Sequence, residues 1–252
     1  MAKAAVRRSA VGRPRANPVV GTGVDPRGEI LNAAARLFTS VGFAAATTHQ
    51  IAAAVGLRQA SLFHHFARKE DILAALLNQT VEPSLRYAER LAAADLPADV
   101  SIYLLVLNDL SHYCSGPGNL GALQIQPEAR RERFSDFWEK REQLRDIYRD
   151  IIARGQTAGV FAVTNLNLAT AIVFGLVEGT ATWFEQDGDE APATVFNMIA
   201  QFALRGLLPE ATSPESDQAA ALRASQIDQA KRALVDPEPG ALDPEPRAPS
   251  PR

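Results

Sequence analysis

The sequence predicts an all-α chain, and three observations carry that expectation. Apolar residues recur at helical spacing through most of the 252 residues, no stretch alternates persuasively as a strand would, and capping residues fall where such helices would start and stop. A cluster of short helices near the N-terminus should precede a larger helical bundle. Hydrophobic residues make up 46% of the chain and charged residues 22%, a globular composition with room for one large domain or two ordinary ones. The single cysteine, Cys114, excludes an intramolecular disulfide framework and fits a reducing compartment. The longest apolar run, Ala171 to Val177, spans 7 residues, far short of the roughly 20 a membrane span needs. The basic residues at the N-terminus are not followed by an uninterrupted apolar stretch, because Pro18, Gly21 and Gly23 break it up. A signal peptide is not expected and a cytoplasmic location is.

Charge divides the chain. Residues 1–80 hold 10 Lys+Arg against 4 Asp+Glu; residues 81–208 hold 11 against 17, and residues 209–252 hold 5 against 8. A basic first third on an acidic remainder points the N-terminal part toward a polyanion. Residues 1–25 lack periodicity and read as a disordered basic arm. At the other end, eight of the 16 prolines lie between Pro209 and Pro251, so 209–252 is expected to be a largely disordered acidic tail with one sparse helix from Ser216 to Val235. Between these ends, residues 26–78 and 79–208 form two helical domains.

The first helix places Ile30, Leu31, Ala34, Leu37, Phe38 and Val41 on one face, and Gly42 ends it. Thr47, three residues before Gln50, opens a second helix in a capping box. Ile51, Ala52 and Val55 give that helix its apolar stripe before Gly56 stops it. Gln59 to Phe66 makes a third, with Leu62 and Phe66 inward; Lys69 and Glu70 open a fourth, with Ile72, Leu73, Leu76 and Leu77 buried. Two short helices around a Gly-containing turn, braced by a longer one, is a helix-turn-helix pattern whose third helix fits a major groove. Gln59 can then read adenine, Ser61 a base edge or phosphate, and Ala60 a thymine methyl. Thr48 adds a hydroxyl at a helix start suited to phosphate.

These residues carry a family resemblance. Ile30 to Phe38, Gly42-Phe43, Thr47-Thr48, Ile51-Ala52, Val55-Gly56-Leu57, Ser61 to Phe66 and Lys69-Glu70 together resemble the DNA-binding domain of the tetracycline-repressor (TetR) family of bacterial transcription regulators. The resemblance spans about 50 residues, 27–77, and implies a DNA-contacting set of Thr48, His49, Arg58, Gln59, Ala60, Ser61, Phe63, His64, His65 and Lys69. It also implies a dimer on a palindromic operator, released when a small ligand occupies the second domain. Phe63 stands where the family usually has Tyr, and Arg58 and Arg68 stand where capping residues are common. His64 and His65 are adjacent, project about 100° apart on a helix and do not suit a shared metal; no metal or cofactor is expected.

The second domain should hold about five helices. Val100 to Tyr113 is apolar nearly all round and belongs at a bundle centre. Pro127 to Arg154 should be one long amphipathic helix, its Arg and Glu positions outward at ion-pair spacing. Tyr103, Leu107, Tyr113, Phe137, Trp138, Tyr148 and Phe174 are candidates to line a largely apolar ligand pocket with hydroxyl handles. Asp109 and His112, one turn apart, suit either a polar handle or the surface. Gly175 and Gly179, four apart on the penultimate helix, suit close approach of another helix. With Ile172, Leu176, Trp183, Phe196, Ile199 and Phe202 they form the candidate dimer interface; ordinary packing within the chain is the competing reading. An enzyme is disfavoured, since no Gly-rich phosphate loop, Ser/His/Asp spacing or Cys/His ligand set is found. A DNA-binding protein whose second domain only dimerises stands as the further alternative.

Overall fold

The computed structural model describes residues 25–114, 116, 119–185, 188–209 and 215–233. Among these, nine α-helices and four short 3-10 segments occur and no strand. Residues 1–24 of the expected arm and the residues after 233 lie outside the described residues.

Three helices and the start of a fourth build an N-terminal head. α1 (Pro26–Val41) starts where the Asp25 carboxylate accepts from the Arg27 and Gly28 amides, with Pro26 at the first position. It ends at Gly42, whose φ of 84° is strained for any side-chain-bearing residue. Ile30, Leu31, Ala34 and Phe38 are buried as expected, but Val41 is 53% exposed. It occupies the last turn, past the core the helix covers. α2 (Thr48–Ala54) carries the complete Thr47–Gln50 capping box. α3 (Gln59–His65) stops before Phe66, which is extended and buried beneath it. α4 (Lys69–Ala93) runs unbroken through residue 78, so the expected domain boundary falls inside a helix.

The body is built on α5 (Ala98–Tyr113), buried on nearly every side and packed by α4, α6 (Ser135–Thr157), α7 (Leu166–Gly179) and α8 (Pro192–Leu207). The expected long helix from Pro127 is shorter. Residues 127–134 make two 3-10 turns, with amides of Ala129, Arg131 and Phe134 bonded three residues back, and α6 begins only at Ser135. Similarly, the penultimate helix breaks at Thr180 into a 3-10 turn. Within the tail, residues 215–233 form a helix. α9 (Glu215–Ala233) docks on α5 through buried Ile227 and Ala230, and Arg223 pairs with Asp99 at 2.5 Å.

Candidate nucleic-acid interface and effector centre

The third helix presents its polar side outward because Leu62 and Phe66 anchor it inward, both buried in the head's core. His49, Arg58, Gln59, Ala60, Phe63, His64 and His65 are exposed; Thr48 and Ser61 are half-buried. Gln59 Nε2 donates to Thr48 Oγ1 at 2.7 Å. A primary amide has two such hydrogens, so this bond orients Gln59 and leaves one donor and the carbonyl for a base edge. At the other end of α3, the Arg27 guanidinium donates to the His65 carbonyl at 3.2 Å and lies 4.2 Å above the Phe66 ring. Arg58 makes no side-chain cap, leaving its cation free of that duty. Phe63 puts 45% of its surface in solvent, where an apolar ring suits a thymine methyl better than a phosphate.

Lys69 differs from the rest of its set. Its ammonium donates to the carbonyls of Phe43 at 2.7 Å and Ala46 at 2.8 Å, and sits 4.3 Å above the Phe43 ring. It ties α4 to the α1–α2 corner; a phosphate would have to compete with two backbone carbonyls for its hydrogens.

The body holds a charged centre that periodicity missed. Arg141 is 2% exposed, with Nη2 donating to Glu178 Oε1 at 3.1 Å and Nη1 lying 3.6 Å from Asp109 Oδ1. The second distance is too long for a hydrogen bond. Asp109 is fully buried and accepts from the Tyr148 hydroxyl at 3.2 Å. Arg141 Nε and Nη1 and Asp109 Oδ1 find no hydrogen-bond partner among the described residues. Burial pushes the Asp109 carboxyl above its usual range, with Arg141 opposing it. Burial also works against the charge on Arg141, but Asp109 and Glu178 outweigh it and hold the guanidinium charged. The Arg141 carbon lies 4.4 Å above Phe174 and 5.3 Å above Tyr113. Arg141 falls between Phe137 and Leu144 on the apolar stripe of α6, and that register was the available signal. Arg141 is therefore not one of the outward ion-pair positions expected of α6: its place in the helical phase, not its charge, sets where it points.

The structure divides the proposed pocket residues. Tyr113, Tyr148 and Phe174 gather around Arg141. Tyr103 instead lines a cleft between α8 and α9, donating to Asn197 Oδ1 at 2.6 Å. Phe137 and Trp138 stack edge-on, and the Trp138 indole donates to the Ala129 carbonyl. Leu107 is half-buried against the core. These seven residues do not enclose one common space.

On α7, the turn that follows it and α8, the expected apolar face is open. Ile172 is 56%, Trp183 57% and Phe202 65% exposed, with Leu176 and Gly175 also in solvent. A Cβ added at Gly175 or Gly179 would meet nothing within 4 Å. Packing within the chain therefore does not explain those glycines. Phe196 is turned inward against Phe184 instead, and Ile199 is half-buried. Leu168 and Met198, both over half exposed, extend the face beyond the residues picked out by sequence. Leu168 lies one turn before Ile172, so the same stripe already pointed to it.

Head and body together define a helix-turn-helix protein with a helical second domain. Residues 30–76 match the family model described as bacterial regulatory proteins, tetR family, and residues 122–207 match the tetracyclin repressor-like C-terminal domain. Mycobacterium smegmatis AmtR, a solved structure, is 37% identical; the match covers 86% of this chain and 99% of that one, with a TM-score of 0.71. The HTH-type transcriptional repressor KstR2 of Mycobacterium tuberculosis is 25% identical over 195 residues, 73% of this chain and 94% of KstR2. AibR, solved with isovaleryl coenzyme A and operator DNA, shares the fold at 19% identity and a TM-score of 0.61, over 73% of this chain and 99% of AibR. The chain belongs to the TetR family of bacterial transcription regulators, and its head is the family's DNA-binding helix-turn-helix. No described helix is long and apolar enough to cross a membrane.

Proposed function

We propose that this chain is a cytoplasmic repressor that works as a homodimer. It grips a palindromic operator through α3 of each copy and is released by a small ligand held in the body. The observation that carries the reading is the pairing of two open faces on one chain: a polar α3 surface and an apolar α7–α8 surface. Joining two copies through α7 and α8 makes a four-helix contact and presents two α3 helices, which must lie about 34–36 Å apart to enter successive major grooves. A ligand that binds better to a different separation lowers operator affinity by that difference in binding alone.

In domain terms, residues 26–78 read DNA and 79–208 bind ligand and dimerise. The aromatic rings of Tyr113, Tyr148 and Phe174 favour a ligand apolar over much of its surface. The unmatched hydrogens of Arg141 favour one polar group at its end. AibR, of the same fold, shows in its solved complex that such a scaffold holds both a ligand and operator DNA. Selection of duplexes from random-sequence DNA tests the reading: inverted repeats are expected, while failure to enrich any sequence would sink it. A melting-temperature screen of small metabolites separates a ligand-responsive regulator from one whose second domain only dimerises.

A further inference from the structure

The head joins the body in two principal ways. One is α4, which passes from head to body but carries Pro83 in its interior. Proline offers no amide hydrogen to the carbonyl four residues back and crowds it, so the helix bends more readily there. The other is a set of contacts from the segment before α6: residues 120–125 pack on α1, Arg133 pairs with Asp71, and Gln126 bonds two backbone groups. Gln126 accepts the Phe43 amide through Oε1 at 2.8 Å and donates from Nε2 to the Phe38 carbonyl at 2.9 Å. Both are backbone groups of the α1–α2 corner, where helix-end carbonyls need outside partners.

That corner is a stiff handle. Phe38 and Phe43 are buried edge-on at 5.1 Å, and Lys69 bonds the Phe43 carbonyl from α4. Gln126 is equally well held. It precedes Pro127, which restricts it to extended backbone, and its φ and ψ are −65° and 137°. Its amide donates to the Leu123 carbonyl and its carbonyl accepts from Ala129. Two residues earlier Gln124, 5% exposed, donates to the Tyr113 hydroxyl beside Arg141. The end of the 3-10 segment Leu120–Ile125 therefore touches the buried charged centre through Gln124 and, two residues on, grips the head through Gln126.

We propose that Gln126 is the positioning residue of the reading head: its amide fixes the angle at which α3 is presented, and the segment before it relays the state of the Tyr113–Arg141 centre to that angle. This rests on the reading of α3 as the DNA-contacting helix of a dimer. Without the clasp the head keeps α4, the packing of residues 120–125 on α1 and the half-exposed Arg133–Asp71 pair, and accepts a wider range of groove separations.

Wild-type protein first selects duplexes from random-sequence DNA; a selected duplex and versions with one base pair added or removed between half-sites are then the probes. Gln126→Met keeps the length and loses both bonds. It is expected to bind the selected duplex on the order of tenfold more weakly and to lose most of its discrimination between spacings. Gln126→Glu keeps the acceptor for Phe43 and should fall between, which preserves the test if the methionine variant folds poorly. In a double-mutant cycle, Gln124→Leu should relax spacing in the wild-type background and add little beside Gln126→Met. Unchanged affinity overturns the proposal, as does a loss equal at every spacing that merely tracks a lower melting temperature. Additive effects of Gln124 and Gln126 overturn the relay. Wild-type protein that selects no duplex overturns the DNA reading itself, an outcome distinct because it precedes every variant.

Discussion

Two exposed faces of this chain carry opposite chemistry. On α3, Gln59, His64, His65 and the adjoining Arg58 meet solvent, and such groups are comfortable in water with or without a partner. On α7, α8 and the turn after α7, Leu168, Ile172, Trp183, Met198 and Phe202 are each more than half exposed. A contiguous apolar surface of that kind carries a standing cost of about 25 cal/mol per Å². The apolar face therefore argues for a partner on energetic grounds, whereas the polar face argues for one only through its geometry and the charge of its domain. A similar contrast separates two cations. Lys69 is matched to backbone carbonyls and holds the head together, while Arg141 keeps unmatched hydrogens within a charged cluster.

The sharpest way to break this contrast is to put a charge on the apolar face. Phe202→Asp should yield monomers in sedimentation and lower apparent operator affinity by about 10²–10⁴, since two linked reading heads become one. A dimer that survives would remove α8 from the interface; Gly179→Leu, milder in kind, tests α7 by the same measurement. Next in size, Arg141→Leu leaves Asp109 buried without its cation and should destabilise the fold by about 3–5 kcal/mol in urea unfolding. Adding Asp109→Asn should recover part of that loss. The same carboxyl sets a pH signature. Burial raises its folded value above the unfolded one of about 4, so the folded state holds the proton more tightly. Stability from this group is full below about pH 4 and declines as pH climbs through the raised value. Asp109→Asn should flatten that slope in melts collected against pH.

Smaller effects belong to the polar face. Gln59→Ala with Ser61→Ala should weaken binding to a selected duplex by about 10- to 100-fold and leave the melting temperature alone. Binding to random DNA should barely change; equal losses on both would show that α3 holds phosphates without reading bases. Arg58→Ala should weaken all duplexes alike and lower the salt slope by about one. Smallest of all, Cys114 is buried and its thiol is pushed up to about 11 by that burial. It should resist alkylation in folded protein at pH 8 and react fully in urea; rapid labelling would mean the core opens there.

Local signals made the head legible. Thr47 is a cap, Gly42 and Gly56 stop helices with positive φ, and the 3.6-residue stripe of each helix is short enough to read without knowing its neighbours. The outward side of α3 followed because Leu62 and the adjoining Phe66 anchor the short helix inward and leave few other outward positions. In the body the same reasoning reached the helices but stopped short of the site. Val41, placed on the inward face by phase, is exposed because no core lies beyond the end of α1. The seven aromatic and aliphatic pocket candidates share chemistry without sharing a location. The docked α9 was partly visible as a sparse helix, yet Arg223 finding Asp99, 124 residues away, lay beyond any local pattern.

What the sequence settled alone was periodicity, caps and the sign of charge on each part, because those depend on residues within a few positions of one another. Which arginine of α6 turns inward, which glutamine reaches across to the α1–α2 corner and which apolar stripe stays uncovered were decided only when distant helices met. Each of those outcomes depends on the neighbour a side chain finds in three dimensions, and spacing along the chain carries no record of it.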